Sequence, residues 1–302
     1  MSLLSRLILR VTDWGWVRSI FTRRFGRRVA MRFVAGESLD DAVAATRALT
    51  SQGFTVSLDH LGEHVTTAEE AVRARDDYLA CIKTISAQHL DANVSVKLTQ
   101  LGMGVDDDLA RASLDALAVA AAEAGTTVTI DMEESAVAAI TIEIYEQAQR
   151  RHGNLGLALQ AYLYRTSADL ERVMALGGHI RLCKGAYDES GEVALGSKAR
   201  VNAAFDRLAL VLMANQEVKP AIATHDEARI TPVAEVASGR TGPFEFQMLY
   251  GVRGRLQAEL VAAGHPLRVY VPYGDSWYPY LTRRIAERPS NVWFFARALL
   301  GR

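Results

Sequence analysis

Short apolar segments alternate with longer amphipathic segments along most of the chain. Eight short segments are rich in β-branched and other apolar residues, as buried parallel strands are. They lie at residues 54–59, 94–99, 126–131, 156–161, 179–184, 220–224, 244–248 and 267–271. Segments with helical spacing lie between them, at about residues 108–124, 135–152, 167–177, 195–215, 227–238 and 253–263. This alternation predicts parallel βαβ units, and eight units favour an α/β fold of the (β/α)8 TIM-barrel type over an open sheet.

Capping signals mark where several of these helices begin and end. Thr67 opens a helix and Glu70 follows three residues later, the spacing of a capping box. Glycine can adopt the left-handed conformation that often ends a helix. Four glycines stand where a helix should stop before the next strand, at Gly53, Gly125, Gly153 and Gly264.

The composition predicts one domain over residues 1–302, with a helical arm at 1–52, the barrel at 53–288 and a C-terminal helix at 289–302. The chain is 49% hydrophobic, and no linker divides it. A net charge of −1 gives no indication of a nucleic-acid partner. Cys81 and Cys183 match no zinc spacing, which favours reduced thiols and a cytoplasmic location. No apolar run is long enough to span a bilayer.

The N-terminal arm is strongly basic. Residues 1–35 contain eight arginines and one acidic residue, Asp13, with aromatic residues interleaved among them. One interpretation is a helical arm that packs on the barrel and exposes a solvated basic face. The other is a patch that contacts anionic lipid or closes over a cofactor phosphate.

Polar residues gather where the predicted strands end. The C-terminal face is where sites are built in this type of barrel. The polar residues there include Asp59, His60, Lys97, Asp131, Glu133, Glu134, Gln160, Tyr162, Arg181, Lys184, Thr224, His225, Asp226, Gln247 and Tyr270. We expect no such density at the opposite end. A ring of this kind indicates a functional site, although Lys97 and Asp131 alone could be a structural ion pair.

The predicted eighth helix, which starts after Asp275, carries a second polar cluster. Tyr280, Arg283, Arg284 and Glu287 fall at positions i, i+3, i+4 and i+7, which share one helix face. Two neighbouring guanidinium groups suit bidentate binding of a carboxylate. The alternative is a solvated face that contains an Arg284–Glu287 pair.

Several other chemistries are disfavoured or stay open at this point. The dinucleotide pattern GxGxxG is absent, and the HxxEH pattern at residues 60–64 contains Gly62 and straddles a strand end, which argues against a zinc site. A lysine at a strand end, Lys97 or Lys184, could instead form a Schiff base in an aldolase-like barrel. A barrel that only binds an amino acid or a partner is the third alternative.

Seven stretches resemble the proline dehydrogenase family, in particular its short monofunctional bacterial members. They are VSVKLTQLG (94–102), IDMEE (130–134), LALQAYLYRT (157–166), IRLCKGAYDE (180–189), IATHDEARI (222–230), FEFQMLYGVR (244–253) and VYVPYGDSWYPYLTRRIAERPSN (269–291). The combination of RLxKGAY with YxxxLxRRxxE is specific. The N-terminal ninety residues resemble the family more weakly.

This resemblance implies a distorted barrel with FAD at the strand C-termini and L-proline against one face of the flavin. Lys97, Asp131 and Arg181 would be the catalytic residues, with Arg181 bonded to flavin N5. Asp131 would lie near Lys97 and the proline nitrogen, where it takes a proton or orients the lysine. The other substrate residues would be Arg283 and Arg284, which clamp the carboxylate, and Leu249, Tyr270 and Tyr280, which wall the proline ring. The FAD residues would be Gln160, Arg181, Lys184, Gly185, Ala186, Tyr187, Thr224, His225, Gln247 and Glu287.

The resemblance also implies a reaction and its partners. A hydride would pass from proline C5 to flavin N5, which gives Δ1-pyrroline-5-carboxylate in the first step of proline catabolism. Electrons would then pass to quinone. We therefore expect a cytoplasmic enzyme with peripheral contact at the inner face of the membrane. A separate pyrroline-5-carboxylate dehydrogenase would receive the product, with docking as one route.

Overall fold

The computed structural model describes residues 31–280, and all eight predicted strands are present in it. The strands are β1 (Thr55–His60), β2 (Ala92–Val96), β3 (Val128–Ile130), β4 (Leu155–Gln160), β5 (His179–Cys183), β6 (Lys219–Ala223), β7 (Glu245–Leu249) and β8 (Leu267–Tyr273). Each strand pairs in parallel with the next, and β8 pairs with β1, so the sheet closes into a barrel. The predicted (β/α)8 fold is confirmed.

Helices separate the strands, as the sequence pattern predicts. They are α1 (Leu39–Thr50), α2 (Ala68–Ala87), α3 (Asp107–Glu123), α4 (Ser135–His152), α5 (Thr166–Met174), α6 (Lys198–Ala214), α7 (Glu227–Ala237) and α8 (Gly254–Ala262). The chain is helical again at residues 277–280, where the description ends. Within residues 31–280, none of the helices combines the length and the apolar character needed to cross a bilayer.

The predicted helix boundaries are largely confirmed. The Thr67 hydroxyl accepts the backbone N–H of Glu70 at 3.2 Å, as an N-cap should. The return bond differs from the prediction, because the Glu70 carboxylate accepts the N–H of Thr66 at 2.8 Å rather than that of the cap residue. Gly153 ends α4 with a φ of 74°, and the other three predicted stop glycines also have positive φ.

The alternation along β1 and β2 separates an apolar layer outside the barrel from polar groups inside it. Val56, Leu58, Val94 and Val96 are fully buried and belong to the hydrophobic core between the barrel and its helices. The intervening positions of the same strands point into the barrel and carry polar groups, such as Ser57, which contacts side chains of other strands. The barrel interior is therefore a polar network surrounded by an apolar shell.

The N-terminal half of the barrel contains a second polar layer, contrary to the expectation from the sequence. Glu245 pairs with Arg268 at 2.7 Å and with Lys219 at 3.1 Å. Burial alone would raise the pKa of Glu245, but Arg268, Lys219 and Gln247 together outweigh burial and lower the pKa to about 2. His179 completes the layer, with its ring nitrogen Nε2 2.6 Å from the hydroxyl of Thr129. Each of these residues stands at or next to the start of a different strand, so no local density reveals them.

The described part of the N-terminal arm packs on the barrel. Helix α1 contacts β1 and β8. The N–H of Ala35 donates to the carbonyl of Pro272 at 2.9 Å, and the carbonyl of Gly36 accepts the N–H of Gly274 at 3.0 Å. Seven of the eight arginines of residues 1–35 lie in residues 1–30, outside the described residues. The predicted domain boundaries at 1–52, 53–288 and 289–302 stay a prediction.

His179 should make stability depend on pH. Burial lowers its pKa from 6.5 to about 3. The unfolded chain therefore binds a proton that the folded chain does not, and the free energy of unfolding falls as the pH decreases from 6.5 toward 3. We expect the wild-type protein to lose about 2 kcal/mol more than His179→Gln between about pH 7.5 and about pH 5. Urea unfolding at both pH values measures this. An equal loss in the two proteins would mean that His179 is not held neutral.

Candidate active site

The predicted site residues within the described part of the chain lie at the C-terminal end of the barrel or on the strands that lead to it. Lys97 and Asp131 directly follow β2 and β3, and Gln160 is the last residue of β4. Arg181, Gln247 and Tyr270 lie within β5, β7 and β8. Strand order alone places these side chains around one opening, since all eight strands run in the same direction.

Arg181 is the centre of this arrangement. Its side chain is 4% exposed. Its Nε donates to Oε1 of Gln247 at 2.5 Å. One terminal nitrogen donates to a carboxylate oxygen of Asp131, and the other donates to the hydroxyls of Ser95 at 2.9 Å and Ser57 at 3.4 Å. Burial lowers the pKa of Arg181, but Asp131 and the other acidic groups near it together outweigh burial and raise the pKa, so the guanidinium is a permanent cation.

Lys97 lies between two carboxylates. Its Nζ is 2.9 Å from Oδ1 of Asp59 and 3.7 Å from Oδ2 of Asp131. Burial would lower the pKa of Lys97, yet the two carboxylates together raise it above its ordinary value. The side chain is therefore an ammonium ion at physiological pH. A charged lysine is a poor nucleophile, which argues against the Schiff-base alternative at this position.

Tyr270 joins the same cluster through both its ring and its hydroxyl. The hydroxyl donates to Oδ2 of Asp131 at 2.7 Å, and the guanidinium carbon of Arg181 lies 5.2 Å from the centre of the ring. Burial and the charge of Asp131 raise the pKa of Tyr270 well above its ordinary value. Tyr270 therefore stays protonated and acts as a hydrogen-bond donor.

A second group of predicted residues lies at the same end of the barrel but bonds to other partners. Lys184 follows β5 and pairs with Asp226 at 2.7 Å. Thr224 is 6% exposed, and the ring of His225 accepts the backbone N–H of Leu249 at 2.9 Å. These contacts hold the strand ends in place and leave the cluster around Arg181 separate from them.

The loop that carries Gly185, Ala186 and Tyr187 is tightly fixed at its start. Gly185 has a φ of 116°, and a β-carbon there would collide with the ring of Tyr162. Only glycine fits this position without displacing the ring. Further along, the carboxylate of Glu189 accepts the N–H of Ser135 at 2.6 Å at the start of α4.

Gln160 has a buried acceptor that stays unused. Its Nε2 donates to the carbonyls of Met132 at 2.9 Å and Glu133 at 3.2 Å. Its Oε1 is buried and has no hydrogen-bond partner among residues 31–280. A buried acceptor without a partner costs about 1–3 kcal/mol, so a ligand with an N–H donor would gain by reaching it.

Some predicted site residues lie outside residues 31–280, and one residue for which the sequence predicts no role lies within the site. Tyr280 is described and is 6% exposed, whereas Arg283, Arg284 and Glu287 lie outside residues 31–280. Asp59 is one of the polar residues at the predicted strand ends, and the sequence predicts no role for it. Its signal is inward alternation with Ser57, the same pattern that places Ser95 and Lys97 on one face. The HxxEH pattern is not helical in the structure, as expected.

Comparisons with known proteins show the family to which this chain belongs. The family model for proline dehydrogenase matches residues 42–297. Proline dehydrogenase 2 of Bacillus subtilis (strain 168) is 38% identical over 276 residues, which cover 90% of this chain and 91% of the relative. The proline dehydrogenase of Deinococcus radiodurans is 37% identical over 284 residues, 90% of each chain. The chain belongs to the proline dehydrogenase family. The predicted family and enzyme class are confirmed.

Solved structures support the fold of this family member. The proline utilization A (PutA) protein of Bdellovibrio bacteriovorus matches with a TM-score of 0.80 at 24% identity. The match covers 85% of this chain, which spans only 32% of that protein. At this identity the likeness supports the barrel alone.

Replacing Tyr270 with phenylalanine should destabilise this proline dehydrogenase. The change removes a hydrogen bond to the partly buried carboxylate of Asp131, and we expect the free energy of unfolding to fall by about 1.5–3 kcal/mol. Tyr145→Phe is the matched control, because the buried Tyr145 hydroxyl has no hydrogen-bond partner among the described residues. Thermal or urea unfolding should show Tyr145→Phe unchanged or more stable. Equal destabilisation of the two variants would contradict the bond to Asp131.

Proposed function

We propose that this chain binds FAD over the C-terminal end of the barrel and oxidises L-proline to Δ1-pyrroline-5-carboxylate. The observation that carries the proposal is the buried, permanently charged guanidinium of Arg181 at the centre of the barrel. A fixed cation there can stabilise the electron-rich ring of a reduced flavin without reorganising. The names of its relatives, proline dehydrogenases of bacterial origin, agree with this reaction.

The residues present fit a flavin. The unused Oε1 of Gln160 is an acceptor for a ring N–H, and Arg181 is a donor for a ring nitrogen. When bound, FAD supplies the acceptor for the hydride that leaves proline C5. The residues that would hold it are Gln160, Arg181, Lys184, Gly185, Ala186, Tyr187, Thr224, His225 and Gln247, with Glu287 proposed from the sequence alone.

The protein must bind proline as a carboxylate with a neutral amine, because only the neutral nitrogen has a lone pair to form the C=N bond. The Lys97 ammonium supplies one fixed cation for the carboxylate. Arg283 and Arg284, proposed from the sequence alone, would supply two more. Cations close to the substrate also disfavour a charged amine, which eases loss of its proton. Leu249 and Tyr280 would wall the ring.

Asp131 has a positioning role in this proposal. One of its oxygens accepts from Arg181 and the other from Tyr270. A carboxylate with both oxygens engaged orients its donors and is a poor acceptor for a further proton. The proton of the amine therefore leaves by another route, to solvent or to a group outside residues 31–280.

The electron acceptor and the partners are proposed from the family resemblance. Electrons would pass to quinone, which requires peripheral contact with the inner face of the cytoplasmic membrane. The arginines of residues 1–30 are the candidate for that contact. The product would pass to a separate pyrroline-5-carboxylate dehydrogenase, by docking or by diffusion.

The visible absorption spectrum of the purified protein, before and after anaerobic L-proline, tests the proposal. We expect flavin bands that bleach when proline is added, because electrons pass from the substrate to the flavin. Bands that persist would leave the cofactor but exclude proline as the substrate. A protein that binds no flavin even when FAD is added would overturn the proposal.

Arg283→Ala and Arg284→Ala test the proposed carboxylate clamp. Each change removes a charge-assisted hydrogen bond worth about 1.5–3 kcal/mol, so KM for proline should rise about 10- to 100-fold. Steady-state kinetics at several proline concentrations measure KM and kcat separately. If neither variant changes KM, the clamp assignment is wrong.

A further inference from the structure

We propose that Asp59 is the counterion that keeps Lys97 charged and in position for the substrate carboxylate, which makes Asp59 a positioning residue of the proline site. The inference rests on the proposed function, because it needs a carboxylate to be bound at Lys97. It assigns to Asp59 the task that the sequence resemblance gave to Asp131.

The strand geometry places the two residues face to face. Asp59 of β1 pairs in register with Ser95 of β2. Lys97 follows Ser95 by two residues, so its side chain leaves the sheet on the same inward face. The Nζ of Lys97 is 2.9 Å from Oδ1 of Asp59, a hydrogen-bond distance, and 3.7 Å from Asp131, which is not.

The two carboxylates differ in how many cations and donors share them. Asp131 accepts from Arg181 and Tyr270 through both of its oxygens, so its charge is divided among several groups. Asp59 is 1% exposed, and Lys97 is its one cationic partner among residues 31–280. The phenol of Tyr78 lies at the limit of hydrogen bonding from Asp59, at 3.5 Å. The charge of Asp59 therefore acts mainly on Lys97.

The second oxygen of Asp59 indicates a functional reason for this buried carboxylate. Its Oδ2 is buried and has no hydrogen-bond partner among residues 31–280. A buried ion pair with an unsatisfied oxygen is a poor source of stability, because desolvation offsets the attraction. A well-packed apolar pair would serve the fold as well, whereas a site for an anion needs a charged lysine.

The groups around Lys97 determine how its charge responds to pH. Asp59 faces it from β1 and Asp131 from the end of β3, and these two dominate. The other titratable or charged groups near this pair are Tyr78, Glu133, Arg181, Tyr187, Tyr270 and Tyr273. Without Asp59, only the more distant and already shared carboxylate of Asp131 would oppose the effect of burial on Lys97. The pKa of Lys97 would then fall. Lys97 would then lose its proton as the pH rises, and with it the bond to the substrate carboxylate.

The test uses a ligand that has no titrating amine. Tetrahydro-2-furoate is the isostere of proline in which oxygen replaces the ring nitrogen. Its Kd is measured by isothermal titration calorimetry on the FAD-loaded protein at about pH 7 and about pH 10. Four proteins are compared: the wild type, Asp59→Asn, Asp131→Asn and Asp115→Asn. Asp115 is a control carboxylate on α3, which pairs with Arg151 and His152 outside the barrel.

We expect Kd to be nearly independent of pH in the wild type, Asp131→Asn and Asp115→Asn. In Asp59→Asn the affinity should weaken about 10- to 100-fold from about pH 7 to about pH 10, because one charge-assisted bond is lost. A merely structural role of Asp59 would weaken binding equally at both pH values, and that outcome would overturn the proposal. A strong pH dependence of Kd in Asp131→Asn would also overturn the proposal. This measurement tests the proposal even if Asp59→Asn does not fold. No binding to the wild type would instead contradict the proposed function.

Discussion

The guanidinium of Arg181 connects side chains from most of the barrel at one point. It bonds to Gln247 of β7, to Asp131 after β3 and to the serines of β1 and β2, and it lies beside the ring of Tyr270 in β8. A buried cation tolerates burial only when its donors are satisfied and a carboxylate is near. The polar interior of the barrel mouth follows from this requirement, since β1, β2, β7 and the residue after β3 each contribute a partner of Arg181.

The same requirement links the site to the opposite end of the barrel. The amide of Gln247 accepts from Arg181 on one side and donates to Glu245 at 2.7 Å on the other. Glu245 in turn pairs with Arg268 and Lys219. These contacts in the N-terminal half of the barrel fix the orientation of the Gln247 amide, and thereby one hydrogen bond of Arg181. The two polar layers form one continuous network inside an apolar shell.

In this network, charged residues that look alike in the sequence have different partners. Arg181 and Tyr270 share Asp131, while Asp59 pairs with Lys97. Such a division leaves two separate cations at the mouth, Arg181, which we propose for a flavin ring, and Lys97, which we propose for a substrate carboxylate. Each cation has its own counterion, so a substitution at one carboxylate should affect mainly one of the two functions.

The sequence alone determined the eight strands, their helices and the polar strand ends that mark the site, because local periodicity and capping residues carry that information. It also identified the family through motifs that stay contiguous in the chain. Only the closed barrel decided that Lys97 pairs with Asp59 rather than mainly with Asp131. It alone assembled Glu245, Arg268 and His179 into a lower polar layer. Alternation tells which residues face inward, but their partners depend on strand register and on distances across the barrel, which arise only when the sheet closes.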